Sequence, residues 1–143
     1  MSIILERVGA PHGSSVLALV RHGDHAFFAL VAGDEKELQL LVGQDVLVEM
    51  SFEQVASWRE LPDFQEADSY MKESTQAPGA VMLQGRVHNV IPIDAESATV
   101  DLYLQTGPEF IAIDSKEIGG YIPAVGSALE VHVHGLCFCP TNT

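Results

Sequence analysis

Hydrophobic and polar positions alternate with a period of two over most of this chain, the pattern of strands with one face in a core and one in water. In SATVDLYLQT (97–106), Val100, Leu102 and Leu104 share one face while Thr99, Asp101 and Tyr103 share the other. Gly107 and Pro108 supply a turn, and EFIAID (109–114) is the expected hairpin partner. VMLQGRVHNVI (81–91) sets Val81, Leu83, Val87 and Ile91 inward against Gln84, Arg86 and His88. Towards the end, ALEVHVHGLCFC (128–139) sets Leu129, Val131 and Val133 against Glu130, His132 and His134. In the first third, IILERV, SSVLALV, HAFFALVA and DVLVEMS predict further strands, with a tight hairpin turn at Gly23-Asp24.

The period changes after residue 50. Ser51 and Gln54 form a capping-box pattern ahead of Val55, Trp58 and Leu61, and Pro62 is placed to stop a helix. Asp63 and Glu66 repeat the cap signature before Phe64, Ala67, Tyr70 and Met71. Short helices are therefore expected over 52–60 and 64–73, followed by the linker STQAPGA (74–80).

Sliding the chain by 83 residues sets its beginning against its end without a gap, most clearly VGQDVLVEM against VGSALEVHV. The apolar pattern follows: Ile4 falls on Val87, Leu17 on Val100, Phe28 on Ile111, Leu30 on Ile113 and Val46 on Leu129. The expected fold is mainly β (β-rich α+β), built from small β-barrel lobes of the OB or SH3-like kind. The boundaries are an N-terminal β lobe (1–52), a helical connector and linker (53–79) and a C-terminal β lobe (80–143). The repeat spans about 1–52 and 84–135, and the whole could close into one compact domain.

Composition narrows the function classes. Among 143 residues, 20 Asp and Glu face seven Lys and Arg, a formal charge of -13, with 47% hydrophobic residues. That apolar fraction argues for a folded chain rather than an acidic disordered tail. The charge disfavours binding to nucleic-acid phosphate. No apolar run has the length of a membrane span, and no secretory signal is visible at the N-terminus, so a cytoplasmic location is expected. Two cysteines only two residues apart, Cys137 and Cys139, are a poor basis for a structural disulfide.

Three constellations carry candidate chemistry. Glu130, His132 and His134 share one strand face, and imidazoles at i and i+2 have the spacing to hold one divalent metal; no other cofactor is indicated. Arg86, His88, Asp101 and Tyr103 form a candidate ligand-binding face across neighbouring strands. The segment from Glu53 to Glu73 is the most acidic and carries Trp58, Phe64 and Tyr70; with Asp63 and Glu66 these describe an acidic, aromatic surface for a basic protein partner. No nucleophile elbow, phosphate loop or dinucleotide fingerprint is present.

The leading expectation is therefore a non-enzymatic protein–protein interaction module, immunity- or antitoxin-like or an adaptor. The alternative is a small-molecule- or metal-binding β-barrel, and the third is an enzyme acting through the Arg86, His88, Asp101 and Tyr103 face. Open edge strands would favour a homodimer.

Overall fold

The structure is a computed structural model that describes residues 1–63, 71–104 and 110–141. In chain order the elements are β1 (Ser2–His12), β2 (Ser15–His22), β3 (His25–Ala32), α1 (Glu35–Gln39), β4 (Asp45–Ser51), β5 (Gln54–Glu60) and β6 (Met71–Glu73). There follow β7 (Val81–Pro92), β8 (Ala98–Leu104), β9 (Phe110–Asp114), a 3-10 turn (Ser115–Ile118), β10 (Ala128–His134) and β11 (Cys137–Pro140). Alternation makes the strands: Val16, Ala18 and Val20 of β2 and Ala98, Val100, Leu102 and Leu104 of β8 are buried, with the residues between them turned outward. Among the described residues no helix is long and apolar enough to cross a membrane.

The strands form two lobes. The first is a closed barrel in the order β1-β2-β3-β11-β4; the second is a sheet in the order β5-β10-β7-β8-β9, with β6 beside the start of β7. One hydrophobic cluster runs through both. Each lobe also carries a short helical turn capped by an aspartate. The Asp34 carboxylate accepts from the Lys36 and Glu37 amides and the turn buries Leu38; the Asp114 carboxylate accepts from the Lys116 amide and the turn buries Ile118.

The internal repeat is present, and it is completed by reciprocal exchange. β4 falls residue for residue on β10 at the 83-residue offset, and Gln54 of β5 falls on Cys137 of β11. Yet β5 joins the second lobe, pairing Gln54 with His134, while β11 returns to the first, pairing Cys137 with Ser51. Each half of the chain thus lends its last strand to the other half. Phe138 fixes the exchange in the first lobe: it is fully buried, its ring 6.3 Å from that of Phe27.

These pairings correct three expectations. Residues 54–60 are not a helix but strand β5, hydrogen-bonded to β10 from Gln54 to Glu60; the pairing a neighbouring strand offers overrides a local cap signal. Of the second expected helix, 64–70 lies outside the described residues and Met71–Glu73 is a strand. The lobes, drawn as the contiguous stretches 1–52 and 80–143, instead each include a strand from beyond those limits. The 83-residue offset also needs adjustment in the early strands. The Gly43 amide bonds the Leu5 carbonyl as the Gly126 amide bonds the Val87 carbonyl, and the bulge between Leu5 and Arg7 recurs between Val87 and Asn89, both at an offset of 82 on the β1 side. A one-residue slip exchanges the faces of a strand. Leu17 and Phe28 are accordingly exposed, whereas Val100 and Ile111, their expected counterparts, are core residues.

Candidate functional site

The outer face of β7, β8 and β9 gathers the candidate ligand-binding residues. Register sets Arg86 directly opposite Tyr103, and Asp101 opposite both Asn89 and Ala112. His88 occupies the bulge between Val87 and Asn89, a device that re-aims a side chain. Its ring lies over Tyr103 with centroids 4.1 Å apart and planes 24° apart. Tyr103 in turn stacks on Phe110 at 5.3 Å and 18°. Three rings on three consecutive strands thus form one continuous face-to-face stack that ends on the exposed Phe110. The Arg86 guanidinium donates to the Gly126 carbonyl at 3.0 Å, which holds it along the edge of the stack.

Gly85 makes the close strand approach possible: a Cβ there would stand 2.2 Å from the Tyr103 carbonyl oxygen. Phe110 went unselected in the sequence, although the alternation of 109–114 already placed it on the face opposite Ile111 and Ile113. At equivalent positions of the first lobe, Glu6 replaces His88 and Arg21 replaces Tyr103, and the two form an ion pair. Beside that pair, Ser2, Ile3, Ile4, Arg21, His22, Gly23 and Asp45 line an open cavity of about 310 Å³. The repeat therefore carries two chemistries at one location, ionic in the first lobe and aromatic in the second.

Neither a family model nor a curated protein sequence matches the chain. A solved structure does. The chain is similar to ModG, a cytoplasmic molybdate-binding protein solved with molybdate bound, with 15% sequence identity and a TM-score of 0.56. The match covers 96% of this chain and 92% of that one, so the likeness is one of the whole fold.

The expected metal face is built differently from its sequence reading. β10 is covered on both faces, leaving Glu130 5% and His132 3% exposed rather than solvated. Polar partners already occupy both side chains. Arg59 donates to the two Glu130 oxygens at 2.8 and 3.3 Å, and Gln84 donates to Oε1 at 2.8 Å. His132 Nε2 lies 3.1 Å from Glu130 Oε2, and its Nδ1 lies 2.7 Å from Ser74 Oγ. Burial pushes the Glu130 carboxyl up, but hydrogen bonds from Arg59, Gln84 and His132 outweigh it and hold the pKa at about 2. Ser74 Oγ also accepts from the Gln76 and Ala77 amides, so the Ser-His-Glu chain ties the segment around Ser74 to β10 and leaves its hydroxyl no free lone pair for a substrate. His134 lies half-buried at the end of the strand, and among the described residues no three His, Cys, Asp or Glu side chains converge on a metal position.

The acidic surface loses the first of the two helices that were to present it. Trp58 belongs to β5 and stacks on Tyr121 at 5.1 Å, while the Tyr121 hydroxyl bonds the Glu60 carboxylate. Asp63 is exposed in the turn after β5, and Phe64, Glu66 and Tyr70 lie outside the described residues.

Proposed function

We propose that this chain is a small-ligand-binding double-lobed β protein acting in the cytoplasm without catalysing a reaction, and that the ligand seats on the outer face of β7, β8 and β9. The observation that carries this reading is the continuous His88–Tyr103–Phe110 ring stack. Stacked rings cover one another's faces and end on the exposed Phe110, and a planar ligand gains from extending the stack there by offset stacking. Arg86 at one edge and Asp101 on the same face add opposite charges that orient a polar substituent. The fold likeness to a protein that binds a small oxyanion supports small-ligand binding in general. The rings favour a flat organic ligand over a bare oxyanion, because an anion gains little from an aromatic face and meets a chain of charge -13.

The test is a thermal-shift and calorimetric screen that sets planar heteroaromatic compounds against molybdate. A true ligand at about 100 times its Kd stabilises by about 2.7 kcal/mol, a rise in Tm of roughly 5 to 10 °C for a chain of this size. Tyr103→Ser and His88→Ala are expected to abolish the rise. A ligand that stabilises both variants as well as the parent would place the site elsewhere, and a response to molybdate alone would overturn the planar class.

A further inference from the structure

The C-terminal strand carries chemistry that the ligand face does not use. In β11, Phe138 points into the first barrel and is fully buried, so Cys137 and Cys139 must both turn outward. Both are half-buried free thiols on the same face of the strand. Around them, Cys137 pairs with Leu30 of β3 and Ser51 of β4, Cys139 pairs with Glu49, and the Cys137 sulfur lies 3.8 Å from Ser15 Oγ. At the equivalent positions of β5 stand Gln54 and Ala56, so the pair belongs to one lobe only.

We infer that Cys137 and Cys139 form a two-thiolate site for a soft monovalent d10 cation, of which Cu(I) is the type. Soft sulfur ligands select such ions. Zinc asks for four tetrahedral ligands, whereas among the described residues no third His, Cys, Asp or Glu side chain completes a cluster with these two. A linear two-coordinate ion needs none. Residues two apart on an extended strand also keep their Cβ atoms further apart than the ~3.8 Å of a disulfide, which leaves room for an ion between the sulfurs. Binding is an exchange in which two thiol protons leave to solvent as one cation enters, so the complex carries one negative charge. Because those two protons must leave, affinity rises with pH.

The experiment uses the full chain without a histidine tag, reduced and anaerobic, titrated with Cu(I) against a chromogenic Cu(I) chelator. One ion per chain, with a near-ultraviolet sulfur-to-copper absorption band, is expected. Cys137→Ser and Cys139→Ala are each expected to weaken binding by more than the roughly 10- to 100-fold that loss of a supporting contact costs, with the far-ultraviolet spectrum and Tm unchanged. No competition with the chelator, or equal binding by either variant, would overturn the site. Zn(II) bound as tightly as Cu(I) would overturn the two-coordinate assignment.

Discussion

Glu130→Gln separates the charge of the buried network from its packing. The carboxylate has a pKa of about 2 in the folded protein against an ordinary 4.5, a difference corresponding to at most about 3 kcal/mol of folding free energy. Its main partner, Arg59, has a side chain 61% exposed, so solvent screening reduces the figure to about 1 to 2 kcal/mol. Because the folded pKa is depressed, this stabilisation is fully present above pH 4.5 and is lost as the pH falls from there towards 2. The variant also sets an amide NH2 group against the Arg59 and Gln84 donors, a pH-independent cost of order 1 to 3 kcal/mol. Urea unfolding of parent and variant from pH 6 to pH 2.5 tests this, since carboxylates common to both proteins cancel in the difference. The stability gap should narrow by about 1 to 2 kcal/mol across that range. A gap that stays constant would show that Glu130 is held for shape alone, and a gap that widens would reverse the sign of the argument.

Two further outcomes follow from the strand exchange and the ring stack. Phe138→Ala empties a fully buried aromatic position of the first barrel and should cost about 3 to 5 kcal/mol in urea unfolding, a large share of an ordinary domain's stability; a loss under about 1 kcal/mol would mean that β11 is not an anchor of that lobe. Gly85→Ala places a methyl group 2.2 Å from the Tyr103 carbonyl oxygen, so β7 and β8 must separate, at a cost of about 1 to 3 kcal/mol; an unchanged Tm together with unchanged amide-exchange protection in β8 would refute that close approach.

What was legible in the sequence was whatever depends on a residue and its near neighbours. The period-2 runs of β7 and β8 were readable because a strand states its own facing, and so Arg86, His88, Asp101 and Tyr103 were placed on one outward surface. The repeat was readable because β4 and β10 keep the same spacing to the glycine before them, Gly43 and Gly126. What failed depended on partners distant in the chain. Residues 54–60 read as a helix because Ser51 and Gln54 resemble a cap, while β10, more than 60 residues away, decides the outcome by offering a strand edge. The solvation of Glu130 and His132 was misjudged for the same reason: Arg59, Ser74 and Gln84 come from three other segments to cover and bind them.

The exchange also bears on how the two lobes could diverge. A duplicated unit that keeps its last strand can lose one copy and leave the other folded, whereas here each sheet is complete only with a strand supplied by the other half. The halves are thereby bound to a common fate in stability, and selection on chemistry is left to the outward positions, which the core does not constrain. Glu6 and Arg21 against His88 and Tyr103, and Cys137 and Cys139 against Gln54 and Ala56, are such positions. In both comparisons the inward neighbours stay apolar, Leu5 with Val87 and Phe138 with Val55, while the outward residues change class. The strands' alternation thus separates what must be shared from what can differ, and it is on the outward set that the two lobes of this protein carry unlike side chains.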